Sequence, residues 1–441
     1  MDSRLSQADL LLLAHSYEKG PDRWRVGGEF ERGFLQADGR PLPYFGAQGV
    51  QWFLQNYLEK HGWKPKYEGE NLIELKGSPR APTPASPFLT LEPGAQVELS
   101  GGAYLRLRDL ADEVREDRLR TQEILQDTGI TPTACGLTPY AKIDEIPFVP
   151  KGRYAVMQRY LPSRGPRAHW MMKGTCAVQA SFDFSDEADC ARKFHLITDL
   201  APLTVAMFAN SPIAEGKVTG WMSTRAWVWT QTDSARTGFP AAVQKGYTHA
   251  GWIDYLLDSP MMFYMREGQW TPANGRSFRS WMQEGIDGLY PGQADWELHQ
   301  TSVFPECRVK NTLEIRSADA VSSELAIAFC AYWKGLLYSR AALDGARAVA
   351  DRLKTAGTPE DRHLEAARHG LAAIFGGFEA TDMARDLVTL ARLGLREQGE
   401  ELEYLRPLEE LVASGRSPAA ALLNAWLRDP SPTNILPRIR W

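Results

Sequence analysis

Cysteine is scarce in this chain and its pattern is bare. Five cysteines (Cys135, Cys176, Cys190, Cys307 and Cys330) are scattered through 441 residues, odd in number and without a CxxC pair. That excludes a disulfide framework and a thiolate zinc ribbon, and leads to the expectation of reduced thiols in a cytoplasmic protein. Long apolar runs are missing as well. None reaches the ~18 residues that a membrane helix requires, and the longest, LAPLTVAMFA (Leu200 to Ala209), is closed by Asp199 and Asn210. LLLL (Leu10 to Leu13) has neither a basic region before it nor a small-residue cleavage site after it, so no signal peptide is expected. The formal charge of −5 is mild and dispersed, which argues against a nucleic-acid surface. GxSxG, Walker-type and GxGxxG motifs do not occur, which removes the common hydrolase, P-loop and Rossmann readings. No internal repeat is visible.

What is present is an alternation of short β-like runs with helices. SQADLLLLAHSYEKG opens as a capped helix that stops at Gly20 and Pro21, and Leu42 to Trp63 carries apolar residues at helical spacing. NLIELKG and PFLTLEPGAQVELSGG read as strands, the second stretch turning at Pro93 and Gly94. Tyr104 to Gly129 is a long amphipathic helix ending in glycine. From about Leu336 the chain is rich in Ala, Leu and Arg, with no β-like run. The reading is an α+β core over residues 1–335, with a helical C-terminal region over residues 336–441 packed on it.

Four strands carry a polar face. In GGEFERGF, Glu29 and Glu31 stand at i and i+2 and therefore project from one side of a strand. QVELSG repeats this with Gln96 and Glu98, CAVQASFDF with Gln179, Ser181 and Asp183, and NTLEIRSAD with Glu314 and Arg316. The intervening positions are apolar: Phe30, Val97, Val178, Ala180, Leu313 and Ile315. Each pair alone is also what a solvated strand face looks like. Acids crowded on one surface repel unless a cation neutralises them, and Mg²⁺ with a nucleotide phosphate suits a set of hard oxygen ligands.

Cationic and aromatic residues occupy the middle of the chain. Lys151, Arg153 and Tyr154 follow a proline turn, and GWMSTRAWVWTQTDSARTGFP holds Arg225, Trp229, Asp233 and Arg236. Arginine grips a carboxylate in bidentate fashion and a flat aromatic ring supplies a wall. For Trp227 and Trp229 core packing is an equal alternative. His169 and His195 lie outside HxxxH and HExxH spacing and read as structural. Cys176, in an apolar run, reads as a small buried hydrophobe.

GGEFERGF, LEPGAQVELSGG, DEIPFVPKGRYAVMQRYLP, MMKGTCAVQASFDFSDEAD, FANSPIAEGK, TRAWVWTQTDSARTG and FPECRVKNTLEIRSAD stand in collinear order over residues 25 to 335. Together they resemble the plant and proteobacterial class of glutamate–cysteine ligases, which includes related enzymes of ergothioneine biosynthesis. The resemblance implies a glutamine synthetase-like fold, a curved and mainly antiparallel sheet forming a funnel with helices outside. It implies ATP and Mg²⁺ as cofactors and a γ-glutamyl phosphate that the α-amine of cysteine attacks, giving γ-glutamylcysteine, ADP and phosphate. Carried onto this sequence, Glu29, Glu31, Glu98 and Glu314 become metal ligands, with Gln179 beside them. Arg316 faces phosphate, with Lys310 and Gln96 also assigned to ATP. Arg153 and Arg225 bind substrate carboxylate, and Arg225 and Arg316 are the catalytic pair. Tyr154 and Trp229 form pocket walls and Met262 touches the acceptor.

Three positions depart from the plant pattern. Met262 replaces a tyrosine, Gly174 an arginine and Ser181 an asparagine, and the cysteines of the plant regulatory disulfides are missing. Another small amine therefore stays open as the acceptor. So do a metal-dependent hydrolase and a catalytically dead relative from other classes. The expected partners are small-molecule substrates, with no nucleic acid and no membrane, for a monomer or homodimer.

Overall fold

The computed structural model describes residues 4–244 and 246–441. Its centre is a sheet whose nine strands are β1 (Val26–Leu35), β2 (Lys64–Glu68), β3 (Asn71–Lys76), β4 (Phe88–Leu91), β5 (Val97–Ser100), β6 (Thr131–Thr133), β7 (Ala177–Phe182), β8 (Cys307–Val309) and β9 (Leu313–Asp319). The order is β8-β9-β7-β1-β5-β4-β3-β2, with β6 pairing the far end of β1. Every pairing in it is antiparallel. The sheet is open, with β2 and β8 at its edges, and does not close into a barrel. The α+β class is as the sequence reading expects, and the antiparallel sheet is as the resemblance implies.

Alternation decides which face is which. On β1 the even-numbered Val26, Phe30 and Phe34 are buried in the core. Arg32 shares that face and is fully buried, where Asp117 of the Leu107–Leu125 helix holds its guanidinium at 2.9 Å. An arginine can occupy a core face when an acid neutralises it. The Ser323–Leu337 helix backs the same face of the sheet, with Cys330 close to Gly28 of β1.

Three helices differ in extent from the sequence reading. The first spans Gln7–Ser16, capped reciprocally by Ser6 and Asp9, and ends before Gly20 because a separate turn begins at Pro21. The second starts only at Val50. Gly49 is its N-cap and lies so close to the backbone that a Cβ there would stand 2.6 Å from the Tyr44 carbonyl, so residues 42–49 form a turn instead. The third runs Leu107–Leu125, stopped by the turn in which Thr128 Oγ1 donates to the Leu125 carbonyl at 2.7 Å.

Beyond Asp319 the chain is helical apart from a short hairpin, Ile374–Phe375 with Phe378–Glu379. The Ser323–Leu337 and Ala380–Glu397 helices cross at Gly335 and Gly394, where each glycine abuts the other helix's backbone and leaves no room for a Cβ. One apolar cluster extends from Leu10 to Trp441 and includes buried residues on both sides of position 336.

Candidate active site

The strand registers bring the polar faces together. Glu31 lies opposite Glu98, and Glu29 opposite both Gln179 and Ser100. Glu314 faces Ser181 on one side and Arg308 on the other. Over this face opens a cavity of about 280 Å³, lined by Glu29, Glu31, Glu98, Gln179, Lys310 and Arg316 from the sheet and its turns. The Gly152–Tyr160 helix adds Arg153 and Tyr154, and the Thr224–Thr230 helix adds Arg225 and Trp229, four residues apart on one helical face.

One half of the cavity is acidic. Burial pushes the Glu29 carboxyl above its ordinary range, and neighbouring Glu314 adds to the shift. Burial and Glu92 raise Glu31 to about 8, while burial with Glu29, Glu92 and Glu31 raises Glu98 well above the usual carboxylate range. Their protein partners are few: Glu31 accepts from the Ala177 N–H at 2.8 Å and from Gln179 Nε2 at 3.2 Å, and Glu98 accepts from Ser100 Oγ and Thr90 Oγ1. Crowded acids with so few donors call for a cation.

The opposite half is cationic and already neutralised. Burial alone would raise the Glu314 carboxyl, but Arg308, Lys310 and Arg316 hold it well below its ordinary value. Arg308 grips it with both Nε (2.9 Å) and an Nη (2.7 Å), Lys310 reaches it at 3.0 Å and Arg316 at 2.6 Å. Arg316 also donates to the Gln179 side-chain oxygen.

The third wall holds donors that lack acceptors. Arg153 Nε, Arg225 Nε and Trp229 Nε1 are all buried without a hydrogen-bond partner among the described residues. Elsewhere Arg225 is fixed, one Nη donating to the Arg316 carbonyl at 2.9 Å and the other 3.9 Å from Asp319. Asp319 is itself held by Ser211, Ser223 and the Asn210 N–H. Tyr154 donates to the Leu91 carbonyl at 2.8 Å. Lys151 donates to the same carbonyl at 3.0 Å, and burial together with Arg153 lowers its amine to about 8.

Three expected site residues lie outside the cavity lining, and a fourth lines it in another role. Gln96 does not line the cavity: its side-chain oxygen accepts from the Gly94 N–H (2.8 Å) and its nitrogen donates to the Thr175 carbonyl (2.9 Å), so the amide ties a turn. Met262 is 1% exposed in the apolar core and does not line the cavity either. Glu314 is absent from the lining because both oxygens are committed to cations, which makes it their anchor rather than an open ligand. Gln179 does line the cavity, but its oxygen is taken by Arg316 and its nitrogen by Glu31, so it couples the two halves instead of offering a free ligand.

Other expectations resolve simply. His169 contacts the Gln158 carbonyl and His195 accepts from the Tyr247 N–H, both structural. Trp227 stacks on Trp221 outside the cavity. Asp183 is occupied by Lys19 and the Arg25 N–H, and Arg236 with Asp233 forms a buried pair. Of the charged lining residues, sequence reasoning did not single out Glu74, Glu92 and Arg308. Each carries a signal: Glu74 pairs with Thr90, Glu92 continues the polar parity of β4 past Thr90, and the short β8–β9 turn places Arg308 opposite Glu314.

Comparison with known proteins adds to this geometry. Residues 25–435 match the family described as Glutamate-cysteine ligase family 2(GCS2). The chain is 35% identical over 431 residues to the chloroplastic glutamate–cysteine ligase of Nicotiana tabacum, covering 96% of this chain and 80% of that one. It is 34% identical over 431 residues to the chloroplastic enzyme of Arabidopsis thaliana, with coverages of 96% and 80%. In three dimensions it is similar to the glutamate–cysteine ligase of Francisella tularensis solved in complex with AMP, with a TM-score of 0.58 and 12% identity over 94% of this chain and 87% of that one. That similarity concerns the fold. The expectation of a cytoplasmic location is corrected by the same findings, because these curated relatives are chloroplast enzymes. With a family match across nearly the whole chain and relatives above 30% identity, the protein belongs to glutamate–cysteine ligase family 2.

Proposed function

We infer that the protein is an ATP-dependent ligase joining the γ-carboxylate of glutamate to the α-amine of cysteine, giving γ-glutamylcysteine, ADP and phosphate. Its curated relatives bear the name glutamate–cysteine ligase. The single observation that carries the reading here is the set of buried, unpartnered donors on Arg153, Arg225 and Trp229 beside an acidic basin. Buried donors left unpaired are costly, so this wall is built for an anionic acceptor such as a substrate carboxylate.

A carboxylate is a poor electrophile because it would have to expel oxide. Phosphorylation supplies a leaving group, after which the amine attacks the acyl carbon and phosphate departs. Such chemistry needs positioning and neutralisation of phosphate charge rather than a protein nucleophile. We assign Arg316, Lys310 and Arg308 to the phosphate end, oriented by Glu314. Arg153 and Arg225 receive glutamate between Tyr154 and Trp229. The donor set of the acidic half fits Mg²⁺: Glu31 and Glu98, buried, and Glu29, half-buried, are hard-oxygen ligands that repel one another without a cation. When bound there, the ion supplies neutralisation of phosphate charge.

The test is ADP release with ATP, Mg²⁺ and glutamate against a panel of amino acids and amines. Cysteine should give the highest kcat/KM. A different preferred amine would assign the chain to another γ-glutamyl ligation, and product formation without ATP would overturn the ligase reading.

A further inference from the structure

A second cluster of ligating side chains lies outside the catalytic cavity. His15, in the last turn of the Gln7–Ser16 helix, Glu18 just beyond it, and His249, the first residue of the His249–Asp258 helix, converge with one ligand atom each, all within 4.8 Å of one another. His15 Nδ1 stands 2.9 Å from Glu18 Oε1, and His249 Nε2 stands 3.3 Å from the same oxygen. Three ligands on a tetrahedral shell at 2.0–2.1 Å from a zinc ion are about 3.3 Å apart, so small side-chain rotations would suffice. We propose that His15, Glu18 and His249 form a binding site for a borderline divalent transition metal of the Zn²⁺ type, which clips the N-terminal helix to the His249–Asp258 helix.

Three further features favour a built site over a chance contact. His249 is 2% exposed, so its ring is fixed by packing. Its other nitrogen, Nδ1, lies 3.1 Å from the Tyr247 hydroxyl, the outer hydrogen bond that orients a metal-binding imidazole and leaves Nε2 free to ligate. Its backbone N–H donates to Glu187 Oε1 at 2.6 Å, which holds the start of the helix in place. The ligand chemistry separates this site from the catalytic basin. Two imidazoles and one carboxylate suit Zn²⁺, Co²⁺ or Ni²⁺, whereas the all-oxygen set of Glu29, Glu31 and Glu98 suits Mg²⁺. The N-terminal helix fully buries Leu10, packs Leu11, Leu13 and Ala14 partly against the core and reaches the second helix through Gln7 and Asp254 at 3.0 Å, and a shared ion would add to this attachment.

The experiment uses the full chain, stripped with chelator and kept in saturating Mg²⁺ so that the catalytic carboxylates are occupied. Zn²⁺ is titrated by calorimetry and Co²⁺ by visible absorption. The expected result is one Zn²⁺ per chain, a Co²⁺ band of nitrogen-containing coordination, and a higher Tm with Zn²⁺. His15→Ala, on the exposed side, and Glu18→Gln should each weaken Zn²⁺ binding roughly tenfold or more and abolish the Tm rise, with ligase turnover unchanged. Equal Zn²⁺ affinity and stoichiometry in the wild type and His15→Ala, or no Zn²⁺ bound by a folded wild type, would overturn the proposal.

Discussion

Glu29 and Glu314 sit on neighbouring parts of one sheet, the first half-buried and the second fully buried, yet their carboxyls move in opposite directions. Around Glu31 and Glu98 the hydrogen-bond donors are neutral and other acids crowd close, and the arginines and the lysine that act on Glu29 and Glu31 do so without an ion-pair contact and do not overcome burial. Around Glu314 there are two arginines and a lysine. Among the described residues the acidic half has no cation in direct contact with its carboxyls, and the cationic half is a finished ion cluster presenting its spare donors to the cavity. Burial raises any carboxyl, and what decides its state is whether the fold supplies cations.

The largest effect should come from breaking the finished half. Glu314→Gln leaves Arg308, Lys310 and Arg316 buried or half-buried without their shared anion. Removing one partner of a buried ion pair costs about 3–5 kcal/mol. We expect turnover to be lost and urea unfolding to shift by an amount in that range. A variant of wild-type stability would show that the cluster is not what anchors this end of the sheet.

Glu31→Gln should behave differently. It relieves like-charge crowding, so the folded state should keep its stability or gain a little, while ADP release falls to background even at saturating Mg²⁺. The stabilisation that Mg²⁺ gives the wild type in thermal melts should shrink in this variant. Near-normal turnover would remove Glu31 from the proposed metal set.

On the donor wall, hydrogen bonds to charged groups are worth about 1.5–3 kcal/mol. Arg225→Ala should therefore raise the KM for glutamate about 10- to 100-fold and leave that for ATP nearly unchanged. An effect confined to ATP would move this arginine to the phosphate end.

A buried acid outside the cavity lining sharpens the contrast most gently. Burial raises Glu113 to about 7, opposed by hydrogen bonds from the Tyr104 hydroxyl (2.5 Å) and the Gly102 N–H (2.8 Å), with no cation attached among the described residues. Its folded pKa lies above the unfolded value near 4.5, so between these values the native state binds more protons. Its contribution therefore lowers stability as pH rises from about 4.5 to 7. Glu113→Gln should flatten that part of the stability profile, and an unchanged slope would mean that Glu113 does not titrate in this range.

Six strands, β1, β3, β4, β5, β7 and β9, were legible from their alternation, whereas β2, exposed along most of its length, and the three-residue β6 and β8, buried throughout, carry no such period. The basin was legible because Glu29, Glu31 and Glu98 lie on the polar side of adjacent strands. Arg153, Arg225, Tyr154 and Trp229 reach the cavity from two short helices, which the family resemblance anticipated and periodicity alone did not. Glu314 looked like Glu29 in sequence, an acid between Leu313 and Ile315. Only the cross-strand register, which sets Arg308 against it, shows that it is already spoken for. Gln96 has the right parity but stands at a turn, where backbone groups claim its amide. The late start of the Val50–His61 helix depends on how Gly49 nests against the preceding carbonyls, a tertiary fit that helical spacing does not reveal.

At Gly335 and Gly394 two helices touch backbone to backbone, and one of them is the helix that lies behind the sheet. Widening that contact by a single methyl would have to push the supporting helix towards the strands bearing Glu29 and Gln179. The C-terminal helices thus act as a rigid shim, and the spacing of catalytic groups on the far side is set partly by residues that never meet a substrate.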